Sequence, residues 1–184
     1  KKYMNITATK IPEVLLLDPV VHSDERGYFM ETFRSSYFKD GERTFSFVQD
    51  NQSRSKLGTL RGLHYQLKFP QGKLVRVLSG EVFDVAVDLR KSSPTFGQWV
   101  GEILSSANKR QLWLPPGFAH GFLVLSETAE LFYKCTDYYH PEDDHCLLWS
   151  DTEIAIKWPK LSISPTISQR DLVGEKLTEA PTYL

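Results

Sequence analysis

The stretch from Lys73 to Arg90 constrains the fold more than any other part of the chain. Leu74 to Leu78 forms one apolar arm, Ser79-Gly80 interrupts it, and Glu81 to Arg90 resumes. Side chains alternate across a strand, so in the second arm Phe83, Val85, Val87 and Leu89 share one face while Val82, Asp84, Ala86 and Asp88 share the other. Apolar groups on both faces are what a strand inside a two-layer β fold requires. Short apolar segments recur elsewhere between Gly, Pro, Asp and Asn. They include Val14 to Leu17, Tyr28 to Phe33, Phe45 to Gln49, Leu60 to Leu67, Leu112 to Leu114, Gly121 to Leu125 and Leu131 to Thr136. Phe45 to Gln49 and Leu60 to Leu67 read as strands, the second interrupted by Gly62, and a glycine inside a strand marks a bulge or a close backbone approach. Many short strands with turn signals, and no alternation with long helices, predict an all-β jelly roll. Short helices are expected near residue 37, within Ser35 to Lys39, and after Ser168.

The 184 residues fit one domain, 1–184, with no internal repeat or linker. Aromatic residues at 12%, with 10 Pro and 11 Gly, favour strands and tight turns over long helices. Twenty-two Lys+Arg stand against 23 Asp+Glu, a formal net charge of -1, so nucleic acid is not an expected partner. No apolar run is long enough for a transmembrane helix. Lys1 to Thr9 holds no apolar stretch of the secretion-signal kind, Met4 is a candidate natural start, and the expected location is the cytoplasm. Cys135 and Cys146 are the only cysteines. Two thiols cannot build a cysteine-rich metal site, and both are expected to be reduced core residues.

Several residues carry chemistry that their neighbours alone do not decide. His64, in Arg61-Gly62-Leu63-His64-Tyr65-Gln66, is a natural base at neutral pH, and equally an ordinary hydrogen-bonded structural histidine. A metal held by two histidines one residue apart is disfavoured because position 66 is Gln, although His120 remains available as a ligand. Tyr133 alternates with Leu131 and Cys135 on one face; it is either a phenolic proton donor or a core aromatic. Lys73 is either a pocket ammonium or a solvated strand end. Arg26, Arg61 and Arg170 match phosphate oxygens by their guanidinium forks. There is no Gly-rich dinucleotide fingerprint, no phosphate loop ending in Gly-Lys-Ser/Thr and no Gly-x-Ser-x-Gly elbow, which removes support for Rossmann-type hydride transfer, P-loop phosphoryl transfer and hydrolase-type acyl transfer.

Taken together, a set of ordered blocks resembles the dTDP-4-dehydrorhamnose 3,5-epimerase family over nearly the whole chain. The blocks are Asp24-Glu25-Arg26-Gly27-Tyr28-Phe29, Phe47-Val48-Gln49-Asp50-Asn51, Leu60-Arg61-Gly62-Leu63-His64-Tyr65-Gln66, Gln71-Gly72-Lys73-Leu74-Val75-Arg76, Gly80-Glu81-Val82-Phe83-Asp84-Val85, Ser93-Pro94-Thr95-Phe96-Gly97-Gln98-Trp99 and Pro116-Gly117-Phe118-Ala119-His120-Gly121-Phe122. Several blocks in the right order are far more specific than any one. The resemblance implies a cupin-type jelly roll with short peripheral helices, working as a homodimer without metal or other cofactor. It implies conversion of dTDP-4-dehydro-6-deoxy-D-glucose to dTDP-4-dehydro-L-rhamnose, a step toward dTDP-L-rhamnose and bacterial surface polysaccharide.

The resemblance also implies roles. His64 becomes the base that removes protons at sugar carbons 3 and 5, and Tyr133 the acid on the opposite ring face. Asp171 becomes the carboxylate that orients His64, with Asp84 an alternative or additional partner, and Lys73 stabilises the enolate oxygen. Arg26, Glu31, Gln49, Asn51, Arg61, His120, Asp144 and Arg170 correspond to nucleotide- and sugar-contacting positions, with Phe29 and Tyr139 as aromatic contacts. The ketone at carbon 4 acidifies both neighbouring C–H bonds, so one base, one acid on the other face and one positive group suffice. Two features depart from the simplest picture. Strict alternation puts Arg61 and His64 on opposite faces unless Gly62 forms a bulge. Gln169-Arg170-Asp171 carries Arg where the family commonly has Lys, which keeps the charge and changes its reach. A relative acting at one carbon or as a ketoisomerase, and a non-catalytic sugar-binding jelly roll, are the competing readings; Tyr133 favours epimerisation over the first, and the presence of both His64 and Tyr133 weighs against the second.

Overall fold

The computed structural model describes residues 3–184. Sixteen strands follow in chain order. They are β1 (Met4–Ala8), β2 (Leu15–Pro19), β3 (His22–Asp24), β4 (Gly27–Phe29), β5 (Lys39–Asp40), β6 (Arg43–Thr44), β7 (Gln49–Lys56), β8 (Thr59–Gln66), β9 (Lys73–Ser79), β10 (Glu81–Asp88), β11 (Trp99–Ser105), β12 (Gln111–Leu114), β13 (Phe118–Val124), β14 (Thr128–Cys135), β15 (Asp144–Cys146) and β16 (Thr166–Ile167). The helical content is two 3₁₀ turns, Ser35–Tyr37 and Pro141–Asp143, and one short α-helix, α1 (Gln169–Leu172). Both helices anticipated from the sequence are therefore present.

Two antiparallel sheets face each other. The first runs β1-β2-β12-β9-β14-β7 and the second β11-β10-β13-β8-β15, with β16 alongside β8. Between them lies a core of Val75, Val77, Leu112, Leu114 and Leu131 from one sheet against Val82, Ala86, Val100, Leu104, Phe122 and Val124 from the other. The second apolar face of β10 is buried too. Val85, Val87 and Leu89, with Phe83 at the margin, pack beneath Leu147, Ile154, Trp158, Leu177 and Tyr183 of the C-terminal segment. The double-sided pattern of β10 thus has two different covers, the facing sheet and the chain's own tail. Nothing in the described residues is a helix long and apolar enough to cross a membrane.

Phe45 to Gln49 departs from the sequence reading. The strand begins only at Gln49 and runs to Lys56. Phe45 and Phe47 instead leave the ladder and join Phe33 and Phe38 around Trp113 on the outer face of the first sheet, with ring centroids 5.2 and 5.7 Å from that indole for Phe45 and Phe47. Aromatic burial outweighs strand pairing here. Tyr28 to Phe33 likewise pairs only as far as Phe29, in the small hairpin β3–β4.

Candidate active site

One bulge sets the geometry of β8. Along β8 and β13 the register pairs Arg61 with Phe122 and His64 with His120, so Gly62 and Leu63 together oppose Gly121. The extra residue returns Arg61 and His64 to the same face, as the Gly62 signal suggested. Gly62 has φ +115°, and a Cβ there would stand 2.6 Å from the Gly121 Cα, so the two backbones approach closer than any side chain permits.

His64 faces a carboxylate. Its Nε2 lies 2.8 Å from Asp171 Oδ1. The other carboxylate oxygen, Asp171 Oδ2, accepts the Gly62 N–H at 3.0 Å, so one side chain fixes both the imidazole and the bulge beneath it. Asp171 sits in the first turn of α1, where Ser168 accepts its N–H at 3.1 Å and caps the helix. Burial alone would raise the Asp171 pKa, but hydrogen bonds from His64 and Gly62, aided by Ser168, hold it below the usual carboxylate value. An ionised carboxylate only accepts, so Nε2 carries the proton and Nδ1 keeps a free lone pair. Asp84, the alternative partner, is taken by the other histidine. His120 Nε2 lies 2.9 Å from Asp84 Oδ2 in a fully buried pair, because β10 and not α1 runs beside His120.

The facing sheet supplies the rest. Register places Tyr133 opposite Val75 and Asn51, and Cys135 opposite Lys73 and Gln49, so β7, β9 and β14 present Asn51, Tyr133, Lys73 and Gln49 as one wall. A cavity of about 340 Å³ lies between that wall and His64, with Tyr139 and Asp144 at its margin. Burial raises the Tyr133 pKa, with Cys135 adding to it and Asn51 and Arg61 opposing, so the phenol holds its proton at neutral pH. The Lys73 ammonium is buried and, among the described residues, has neither an ion pair nor a hydrogen bond. Burial lowers its pKa, while Cys135, Asp144 and Asp84 pull the other way.

The remaining sites anticipated from sequence divide into three groups. Gln49, Asn51, Tyr139 and Asp144 line the cavity. Gln49 donates to Asn51 at 3.1 Å and accepts the Tyr139 N–H at 2.9 Å, while Asp144 accepts the Tyr139 hydroxyl at 2.7 Å and pairs with Arg170 at 2.6 Å. Arg61 reaches Ser55 at 3.1 Å, and the His120 ring centre lies 6.4 Å from that of Tyr133, placing both beside the cavity and not on its lining. Arg26, Phe29 and Glu31 are elsewhere. Arg26 pairs with Asp24 at 2.5 Å on the exposed hairpin, Phe29 is 68% exposed there, and Glu31 is held by Arg34 and Tyr37. Within one chain the hairpin lines a separate concavity.

Sequence reasoning passed over Gln66, Gln71, Gln52 and Tyr65 as cavity residues. Gln66 was legible by alternation, two residues beyond His64 on the same face. Its amide, however, is spent on Phe69, Tyr138 and His140 backbone groups, so it braces the wall. Cys146 was expected in the core. Both thiols are free, Cys135 buried, but Cys146 is only half-buried and lies against Asp171, and His64, Cys146 and Asp171 offer ligand atoms all within 4.8 Å of one another.

Residues 8–179 match the family profile described as dTDP-4-dehydrorhamnose 3,5-epimerase. A dTDP-4-dehydrorhamnose 3,5-epimerase from Pseudomonas aeruginosa is 54% identical over 98% of this chain and 99% of its own length. One from Neisseria gonorrhoeae is 55% identical over 96% of this chain, which spans 54% of that longer relative. Among solved structures, dTDP-6-deoxy-D-glucose-3,5-epimerase from Legionella pneumophila in complex with dTDP-4-keto-L-rhamnose superposes with a TM-score of 0.92 at 52% identity, covering 97% of this chain and 95% of that one.

Proposed function

The chain belongs to the dTDP-4-dehydrorhamnose 3,5-epimerase family, and from that premise we propose that it turns dTDP-4-dehydro-6-deoxy-D-glucose into dTDP-4-dehydro-L-rhamnose with His64 as base and Tyr133 as acid. One observation carries the reading: an imidazole tied to a buried carboxylate stands on one wall of a cavity, and a protonated phenol and an unpaired ammonium stand on the other. His64 Nδ1 takes the proton from carbon 3 or carbon 5. The electron pair moves to the carbon 4 oxygen, where Lys73 meets the developing negative charge. Preorganised charge in a site shielded from water acts most strongly on the enolate, which carries the charge, and weakly on the neutral ketone. Tyr133 then delivers a proton to the opposite face of the same carbon, which inverts it. Solvent reprotonates the phenolate and takes the proton from His64, and a small shift of the ring repeats the cycle at the second carbon. No step moves an electron to or from a cofactor.

Asp171 is a positioning residue in this scheme, holding the tautomer that leaves Nδ1 free. Arg170, Asp144 and Tyr139 form the rim against which the nucleotide rests. Arg26 and Phe29 correspond to substrate-contacting positions, yet in one chain their hairpin does not reach the His64 cavity. Both statements hold if a second copy of the chain brings its hairpin to the cavity, which supports a homodimer. We place the single domain, residues 1–184, in the cytoplasm, where nucleotide sugars are made, as part of dTDP-L-rhamnose synthesis for surface polysaccharide.

His64→Ala tests the assignment. Loss of a general base is expected to lower kcat by about 10²–10⁴-fold, while dTDP affinity, measured by calorimetry, stays close to wild type. Full turnover in that variant would refute the assigned base. Prolonged chelation is expected to leave turnover undiminished, and loss on chelation with recovery on adding a divalent ion would refute the metal-free scheme.

A further inference from the structure

Cys146 has no part in the chemistry above, yet it is the cross-strand partner of His64 in the β15–β8 register. Its Sγ lies 3.8 Å from Asp171 Oδ1, the same oxygen that faces His64 Nε2 at 2.8 Å. We propose that His64, Cys146 and Asp171 form an inhibitory site for a thiophilic divalent cation such as zinc, which disables the base by taking its Nε2.

Geometry and donor chemistry support the site together. Ligand atoms around a tetrahedral zinc stand roughly 3.3–3.6 Å apart, given bond lengths of about 2.0–2.3 Å. The three atoms here span 2.8 to at most 4.8 Å, so side-chain shifts of about an ångström close the site. Imidazole, thiolate and carboxylate form a set that zinc accepts. Supporting contacts exist already. Asp171 Oδ2 stays on the Gly62 N–H and Ser168 holds the Asp171 backbone, so Oδ1 is the oxygen aimed at the site.

The consequence for the base follows from proton placement. In the resting pair, Nε2 bears the proton and Nδ1 the free lone pair. A cation bound at Nε2 uses that nitrogen's lone pair, so the single imidazole proton must sit on Nδ1, and the nitrogen that faces substrate can no longer accept one. Binding also expels the Cys146 proton to solvent. The inhibitory half of this proposal rests on His64 being the base; the binding half does not.

Two measurements on the full chain separate these halves. Cobalt(II), titrated into the wild type at mildly alkaline pH, is expected to give a thiolate-to-cobalt charge-transfer band that Cys146→Ser lacks. Micromolar zinc is expected to suppress turnover reversibly, with a chelator restoring it. Cys146→Ser is expected to keep its basal turnover and to need at least about tenfold more zinc for the same inhibition, the effect of one lost ligand. Absence of the band, or equal zinc sensitivity in wild type and Cys146→Ser, would overturn the site. A band with turnover untouched would overturn the inhibitory claim, while the assigned base stands or falls separately on His64→Ala.

Discussion

Tyr133 and Lys73 owe their chemistry to burial, in opposite senses. For a phenol, loss of water favours the neutral acid, so Tyr133 reaches neutral pH with a proton to give. Tyr133→Phe removes that proton and leaves His64 in place. The expected result is continued exchange of substrate hydrogen with solvent, while formation of inverted product falls by about 10²-fold or more. Loss of exchange and inversion together would mean that the phenol acts before the enolate forms. Among the described residues Lys73 is buried without an ion-pair partner, Asp144 and Asp84 acting on it only from a distance, a costly arrangement unless the site supplies an anion at the moment of reaction. Lys73→Met keeps the volume and deletes the charge. It is expected to lower kcat by about 10²–10³-fold with little change in KM. An equal rise in KM would assign the ammonium to ground-state binding.

At the scale of elements, the β8 bulge positions the site and the loop after β10 supports the fold. Gly62→Ala would force a side chain into the Gly121 backbone at a φ of +115°, and backbone cannot rotate away as a side chain can. About 3 kcal/mol or more of stability is expected to be lost, read as a fall in denaturant midpoint. The loop 88–97 is pinned by Asp88, which accepts from Arg90 at 2.8 Å, Ser93 at 2.6 Å and Thr95 at 2.7 Å. Burial would raise the Asp88 pKa, and these partners reverse that and lower it. A lowered carboxylate pKa stabilises the fold above the unfolded value of about 3.9, and that contribution disappears as pH falls through the folded value. Asp88→Asn is therefore expected to cost about 2–3 kcal/mol at neutral pH and to lose less stability than wild type on acidification below about pH 4. The same elements show what the chain reveals before folding. The two-faced β10 and the Gly62 bulge are local patterns, readable from alternation and from one glycine. The partner of His64 is not, because Asp171 lies 107 residues away and Asp84 satisfies the same chemistry; only the tertiary path decides that Asp84 serves His120. Phe45 to Gln49 misled for a similar reason, since the pull of Trp113 on Phe45 and Phe47 is a long-range contact.

At the scale of the molecule, two sheets hold the two halves of the chemistry apart. His64 belongs to one, Tyr133 and Lys73 to the other, and the shared core between β9, β14 and β13 fixes their separation. The β3–β4 hairpin stands outside this arrangement, with Tyr28 59% and Phe29 68% exposed beside Arg26. If a second copy receives it, two inactive variants should complement each other. Mixing His64→Ala with an Arg26→Ala/Phe29→Ala variant, followed by subunit exchange, is expected to restore activity toward a quarter of wild type, the share of sites that regain both halves when dimers reassort at random. No restoration, with exchange verified, would place the hairpin outside the site. The central claim is abstraction and return of a proton on opposite faces of two carbons flanking a ketone. Its most direct test is proton NMR of the dTDP-4-keto-6-deoxy sugar incubated with this protein in heavy water. Deuterium at both carbon 3 and carbon 5, with conversion to the L-configured product, is the predicted result; product formed without deuterium, or no exchange at either carbon, would contradict it.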